Sequence, residues 1–274
     1  KITEVFSTLE YLQKIKTYSP IARLKKLNNS ITNLADFILE SLYNLNEGKK
    51  FAIYGLGKLG SREMNIGSDL DLVFVFEDED SKFSLAKIPE KIIKDLTTYT
   101  KEGQLYQIDL RLRPYGKAGE LSPSLEFYSK YFQNEARPWE FLAWTKSRFI
   151  TGDENVKEKF EEIIKSKIFD RVITKDIKED ILDMRLKLEA LTKETENEID
   201  IKLGKGGIAD VEFLVQLYYL KTKQRKTNIL EGLLDFNPDI VDHYVFLREV
   251  ETRLRLVKGS SSSKISKSDQ QTER

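Results

Sequence analysis

Phe51-Ala52-Ile53-Tyr54-Gly55-Leu56-Gly57-Lys58-Leu59-Gly60-Ser61-Arg62-Glu63-Met64-Asn65-Ile66-Gly67-Ser68-Asp69-Leu70-Asp71 decides how this 274-residue chain is read. Phe51 to Tyr54 is a short apolar run closed by glycine, which predicts a buried strand. Leu70 to Phe76 predicts a second strand. Gly55 to Gly60 fits G-x-G-x-x-G directly after a strand, and Glu77 falls about twenty residues on, where a dinucleotide fold places its ribose-binding acid. Three features argue against that reading. A crossover unit needs roughly 30 residues, yet only seven residues separate Gly60 from Ser68, and one of them is Gly67. A strand buried on both faces should be continuously apolar, and this one opens on two aspartates. After Pro114 the alternation of strand and helix stops. Lys58 also lacks the spacer and following hydroxyl of a P-loop.

Side chains alternate along a strand, so Asp69 and Asp71 share one face while Leu70, Leu72, Phe74 and Phe76 share the other. Two carboxylates so placed repel each other unless a cation lies between them. Magnesium suits such a pair, because it takes oxygen ligands from one or two carboxylates plus substrate phosphates. A third strand is expected from Leu105 to Arg113, ended by Pro114, with Asp109, Arg111 and Arg113 on one face. If it neighbours the second, Asp109 becomes a third carboxylate, and three carboxylates can hold two magnesium ions. Asp69, Asp71 and Asp109 are therefore the candidate catalytic and metal-ligating residues. Arg111 and Arg113 offer charge to phosphoryl oxygens. Gly57, Lys58 and Ser68 are expected beside the nucleotide, glycine because it allows close backbone approach. The competing reading makes Asp-x-Asp a polar strand start and the arginines surface pairs.

Around this unit the chain reads as helical. Residues 1–49 form a helical lead-in: Val5, Leu9, Leu12 and Ile15 recur at helical spacing, as do Ile31, Leu34, Phe37, Ile38 and Leu42. Ser19-Pro20 and Asn28-Asn29-Ser30 punctuate it, and a polar turn closes it from Asn44 to Lys50. Glu77 to Lys82 is expected as an acidic loop and Lys87 to Thr100 as a helix. Beyond Pro123 helix follows helix, with Ser124 as a cap, Pro138 in a first turn, Asp153 opening another and Thr174 to Thr195 long and charged. Gly204 to Gly207 is a loop before Val211 to Thr222, with Asp210 expected as its cap. Asp239 to Val257 is a last amphipathic helix, and residues 259–274 look frayed. The expected organisation is a lead-in at 1–49, a core at 50–152, a helical bundle at 153–258 and a flexible tail. The fold class is α+β, a small mixed sheet followed by a helical bundle, and predominantly helical.

Forty-five acidic and forty-five basic residues balance, so the chain as a whole has no bias toward nucleic acid or an anionic membrane. No cysteine is present and His243 is the single histidine. That removes thiolate zinc sites, disulfides and Ser-His-Asp chemistry, leaving carboxylates as the metal ligands. No apolar run approaches the roughly 18 residues of a membrane span, and no signal peptide is evident, so a soluble cytoplasmic protein is expected. Because it starts at Lys1 rather than Met, a piece of something longer is expected.

The motifs resemble the catalytic unit of the glutamine synthetase adenylyltransferase family. The likeness runs through Gly55 to Gly60, Glu63, Asn65 and Ser68-Asp69-Leu70-Asp71-Leu72. It continues in Asp109-Leu110-Arg111-Leu112-Arg113-Pro114-Tyr115-Gly116 and Gly119, then Tyr131, Trp139-Glu140, Lys146-Ser147-Arg148 and Gly152-Asp153. It resumes at Gly206-Gly207-Ile208-Ala209-Asp210-Val211-Glu212-Phe213 with Gln216, and ends near Leu247-Arg248 and Arg253-Leu254-Arg255-Leu256. The resemblance implies a polymerase-beta-like nucleotidyltransferase core followed by a helical domain. It also implies transfer of AMP from ATP to a tyrosine of glutamine synthetase, with a nitrogen-signalling PII protein as regulator. Family members carry two related halves, one attaching AMP and one removing it by phosphorolysis, taking phosphate and giving ADP; one unit is present here. Arg62-Glu63-Met64-Asn65 and Lys146 look like the removing half. Gln133-Asn134-Glu135-Ala136 leans toward attachment, and Pro138 and Phe141 depart from both. Attachment is the reading carried forward.

Two further classes stay open: a nucleotidyltransferase acting on a small molecule or RNA, and a non-catalytic nucleotide-binding regulatory module. Neutral net charge weighs against RNA, and the intact aspartate trio weighs against a degenerate site. Gly206, Gly207, Asp210 and Glu212 could form a loop closing over substrate, or an ordinary helix start. Trp139 and Trp144 are expected in the core, His243 in a structural role, and the charged helix at 175–196 as a solvated face.

Overall fold

The computed structural model describes residues 18–46, 50–192, 198–258 and 263–266. Helix α1, Pro20–Asn44, is capped by Ser19, whose side chain accepts the Ala22 N–H, and carries Pro20 in its first turn. Asn28-Asn29-Ser30 does not break it. Leu24, Leu27, Ala35 and Leu39 are buried on one continuous face, and packing of that face outweighs the few tenths of a kcal/mol, roughly, that a polar residue costs a helix. The expected helix over Val5 to Ile15, and residues 47–49 of the expected turn, lie outside the described residues.

Strand β1, Phe51–Gly55, is followed by the one-turn helix α2, Gly57–Gly60, and by β2, Leu70–Phe76. β1 and β2 pair antiparallel from Phe51↔Phe76 to Gly55↔Leu72. The expected acidic loop instead forms helix α3, Glu79–Leu85, because Asp78 caps it by accepting the Ser81 N–H. Helix α4, Lys87–Thr97, ends three residues before the expected Thr100.

The third strand is much shorter than Leu105 to Arg113. Strand β3 is Ile108–Asp109 alone, parallel to β2. The Asp109 carboxylate accepts the Arg111 backbone N–H at 2.8 Å, and the Arg113 N–H reaches the Leu110 carbonyl. These local bonds compete with the ladder and turn the chain away. Arg111 and Arg113 therefore do not extend a strand face with Asp109.

Beyond Pro123 come α5, Leu125–Asn134, and α6, Pro138–Thr145. Next lies a strand absent from the sequence reading: β4, Arg148–Gly152, pairs antiparallel with β1 and makes the sheet order β3-β2-β1-β4. Only Ile150 of this strand is buried, so it lacks an alternating apolar signal. Helices α7, Glu154–Ile164, and α8, Lys175–Ala190, start from the caps Asp153 and Thr174. Strand β5, Glu198–Asp200, precedes α9, Ile208–Thr222, the unforeseen α10, Ile229–Phe236, and α11, Val241–Lys258. Strand β6, Lys264–Ser266, pairs antiparallel with β5, so part of the expected tail is ordered. The other residues of that tail lie outside the described ones. The architecture is α+β, mostly helical, with a four-stranded mixed sheet and a small second sheet.

The period of two along β1 divides the core. Phe51 and Ile53 face α1 and α4, meeting Leu39, Phe74, Phe76, Ile92 and Leu96. Ala52 and Tyr54 face the opposite way, into a cluster with Tyr128, Phe132, Trp144 and Phe160 that continues to Tyr219, Leu233 and Tyr244. Each such fully buried large side chain contributes about 1.5–3 kcal/mol of transfer free energy. One apolar core therefore joins the sheet to the later helices and fixes how they face the glycine loop.

Candidate functional site

Asp71 stands opposite Asp109 on neighbouring parallel strands. The Asp71 carbonyl accepts the Leu56 N–H at 2.9 Å, which draws the glycine loop against the strand. Gly57 has φ +52°, and a Cβ there would lie 2.2 Å from Asp71 Oδ2. Only glycine suits that backbone and leaves the carboxylate its room. Burial, with the charges of Asp109 and Asp69 behind it, pushes the Asp71 carboxyl up to about 6; Lys146 and Lys202 pull the other way. Asp69 is exposed.

The Asp109 carboxylate also receives Arg111 Nε at 2.8 and 3.0 Å and Nη2 at 2.5 Å. Arg111 itself is 68% exposed, so the pair lies at the rim. With Asp109 so engaged, no group of three carboxylates among the described residues converges into a ready metal site. The donor chemistry nevertheless suits a hard divalent cation. The candidate donors are carboxylate oxygens, and Asp71 stands directly opposite Asp109, whose charge Arg111 offsets in part.

The other site residues from the sequence are held more tightly. Ser68 is buried, its hydroxyl accepting the Asn65 N–H at 2.9 Å. Arg113 Nε donates to the Gly116 carbonyl at 3.0 Å. Lys58 turns into the protein and meets Glu251 Oε1 at 2.5 Å. Gly60 packs so closely on the chain after α6 that a Cβ would sit 1.9 Å from the Lys146 carbonyl.

Glu251 belongs to a buried ionic network that the sequence reading did not assemble. Arg248 and Arg255, one turn either side on α11, lie 3.4 and 3.3 Å from the Glu251 oxygens. Arg248 also donates to the Glu63 carbonyl at 2.8 Å and lies 3.7 Å from Glu212, which Lys146 Nζ meets at 2.8 Å. The Glu63 carboxylate accepts N–H groups from Ile229 and Leu230 at the start of α10 and the Tyr244 hydroxyl. Asn65 Nδ2 donates to Thr252 Oγ1 at 2.8 Å. Burial opposes the charge on Glu251, but Arg248, Lys58 and Arg255 outweigh it and hold the carboxyl well below its ordinary range. Burial, and Arg248 with it, pushes the Lys58 ammonium down to about 7 while Glu251 works the other way. A signal for this network did exist. On α11 Tyr244, Val245, Arg248, Glu251, Thr252 and Arg255 are buried at helical spacing, and charges on a core-facing stripe require partners.

The loop before α9 is a clamped turn. Gly207, not Asp210, is the cap residue. The Asp210 carboxylate accepts the Gly206 N–H and receives Arg185 Nε, each at 2.6 Å. Arg185 also donates to the Leu203 and Gly204 carbonyls, so the expected solvated face of α8 carries a buried arginine. Gly206 and Gly207 thus belong to a fixed turn, and Glu212 belongs to the buried network. From the same loop the exposed Lys202 exerts its charge on Asp71.

Trp144 is buried among Tyr128, Phe132 and Phe160 as expected. Trp139 differs: it is half-buried and borders a cavity of about 200 Å³ that Arg111 and Arg113 also line. His243 is exposed on α11.

Residues 15–163 match the family model described as glutamate-ammonia ligase adenylyltransferase. Residues 175–273 match one described as GlnD PII-uridylyltransferase. The protein named bifunctional glutamine synthetase adenylyltransferase/adenylyl-removing enzyme from Nitrosomonas europaea is 38% identical over 208 residues, covering 72% of this chain and 22% of that protein. Its namesake from Bartonella quintana is 40% identical over 182 residues, 62% of this chain and 19% of the relative. The chain therefore spans about a fifth of the length of these curated relatives. Since the adenylyltransferase model matches more than half of the chain, across the glycine loop and all three aspartates, the chain belongs to the glutamate-ammonia ligase adenylyltransferase family.

Proposed function

We propose that this chain is a magnesium-dependent nucleotidyltransferase unit that moves AMP from ATP to a tyrosine hydroxyl of glutamine synthetase, and so regulates nitrogen assimilation. The observation that carries the reading is the Asp71–Asp109 juxtaposition beside Gly57. The names of the relatives support the substrate. In the transfer, the phenol oxygen bonds to the α-phosphorus, the bond to pyrophosphate breaks, and the phenol proton is released. Asp69, Asp71 and Asp109 would hold two magnesium ions, which when bound supply Lewis-acid neutralisation of the phosphate charge. Arg111, exposed at the rim, would meet phosphoryl oxygens, with Arg113 two residues further along the loop. Gly57 gives the nucleotide close access to the Asp71 carboxylate, and Ser68 holds the turn that leads into the aspartates.

The reverse process, phosphorolysis of the tyrosine-linked AMP by phosphate to give ADP, remains the second reading. Arg62-Glu63-Met64-Asn65 and Lys146 favour it, and the relatives named carry both activities. The match of residues 175–273 to a PII-uridylyltransferase supports a PII protein as regulator. No described helix is long and apolar enough to cross a membrane, and the cytoplasm is the proposed location.

The deciding experiment incubates the protein and magnesium with α-labelled ATP and unmodified glutamine synthetase. A parallel arm supplies the adenylylated synthetase and phosphate. Label on the synthetase supports attachment, and ADP supports removal. Silence in both arms, with PII protein supplied, overturns the reading.

A further inference from the structure

The cavity beside Arg111 has no role in the mechanism above. Its walls are aromatic and are locked from behind. Tyr131, buried, donates its hydroxyl to Glu140 Oε2 at 2.6 Å, and Glu140 Oε1 accepts the Arg137 N–H at 2.9 Å. Tyr115 meets Tyr131 edge to face at 5.1 Å between ring centroids, and its hydroxyl bonds Glu135. Trp139 stands half-buried on the opposite helix, α6, and borders the same space. Arg113 is steered by its bond to the Gly116 carbonyl.

Tyr115 is also conformationally unusual. It has φ +58°, in the left-handed region that a bulky residue avoids, yet the residue is 51% exposed and lines the cavity. Strain of that kind persists only where the surroundings enforce it, and it concentrates at ligand sites. A tyrosine placed there for packing alone would be buried.

From this arrangement we infer that the cavity between Tyr115, Tyr131 and Trp139 is the nucleobase subsite, taking a planar purine whose triphosphate passes over Arg111 toward Asp109. The inference rests on the nucleotidyl-transfer reading and adds the residues that hold the base. The cavity, about 200 Å³, suits a single planar heterocycle rather than a larger group. Arg111 belongs both to the cavity wall and to the Asp109 carboxylate, so base and phosphates lie on one continuous path. Aromatic faces bind a base by stacking, while guanidinium groups meet its phosphates. Trp139 and Tyr115 are the specificity-determining residues in this assignment, and Tyr131 with Glu140 positions the wall.

The test separates base from phosphate. Binding of ATP and of inorganic tripolyphosphate, both with magnesium, is measured by calorimetry on the intact chain and three variants. Trp139→Ala and Tyr115→Ala are expected to weaken ATP roughly ten-fold, the scale of one base–aromatic stack, and to leave tripolyphosphate within two-fold. Trp139→Phe keeps a ring and is expected to restore most of the ATP affinity. Should Trp139→Ala fail to fold, the exposed Tyr115→Ala carries the same comparison. Equal loss for both probes, or no loss for ATP, overturns the subsite. Wild-type protein that binds neither probe removes the nucleotidyl-transfer reading itself, whereas binding of tripolyphosphate but not ATP removes only the subsite.

Discussion

Two charged regions flank the glycine loop, and they are built on opposite principles. On one side Asp69, Asp71, Asp109 and Arg111 stand at the rim of a sheet, partly open to water, with carboxylates facing each other and one arginine among them. On the other, Glu63, Arg248, Glu251 and Arg255 are buried with Lys58 and Glu212 half-buried beside them, and each negative charge is met by cations or backbone donors from a different element. In the first region Arg111 offsets the charge of Asp109, while burial and the neighbouring carboxylates still raise the Asp71 carboxyl. The second balances its charges in place and ties α9, α10 and α11 to the loop that carries Gly57. Burial explains the contrast: an unpaired charge is tolerable at a solvated rim and very costly inside. Lys58 sits at the border. The sequence put it with the nucleotide, whereas its ammonium enters the buried network.

Substitutions in the two regions should therefore behave differently. The largest effect is expected from Asp69→Asn. Removal of one exposed carboxylate should cut AMP transfer at least ~100-fold, the scale of losing one preorganised electrostatic contact, with the thermal midpoint unchanged. Retention of full activity would remove Asp69 from the metal site. Glu251→Ala is expected to do the reverse, costing about 3–5 kcal/mol of folding free energy because Arg248 and Lys58 lose their buried counter-charge. Urea unfolding measures this, and a loss within error would mean that the network opens to water.

Gly57→Ala sits between the regions. The left-handed backbone costs an ordinary residue about 1–2 kcal/mol, and the new methyl group must displace the Asp71 carboxylate. Activity should consequently fall by more than the stability change accounts for, and a drop confined to stability would show that Asp71 has room to move.

A pH experiment probes the buried side through Glu251. The Glu251 carboxyl is held below its ordinary value near 4.5. The folded state thus binds a proton there less readily than the unfolded chain, and this stabilisation is complete above about pH 4.5 and lost as the pH falls further. Urea midpoints taken from about pH 6 to about pH 3 should decline, and Glu251→Gln should flatten the decline. An unchanged slope in that variant would assign the acid sensitivity elsewhere. The smallest effect is expected from Arg111→Ala: a stability change within about 0.5 kcal/mol, since the side chain is exposed, alongside weaker nucleotide binding.

The local steps of the fold were legible because they depend on few residues. β1 and β2 were marked by apolar runs bounded by glycine and aspartate, and α5, α7 and α8 by their caps Ser124, Asp153 and Thr174. β3 was overestimated because alternation from Tyr106 to Leu112 outweighed the competing turn at Asp109. β4 was missed because just one of its side chains is buried, and β5 with β6 because a pair joined across more than sixty residues leaves no local mark.

The sequence by itself singled out the aspartates and the glycine beside them, and argued against dinucleotide and P-loop folds, since spacing and residue type bear on each. Tertiary structure alone decided which charges stay at the open rim and which are fasteners in the interior. It turned Lys58 inward, clamped Asp210 to Arg185, buried Glu251 between two arginines and left Trp139 at a cavity. Those assignments depend on what lies across the fold from each side chain, and on how much water remains there, which no spacing along the chain records.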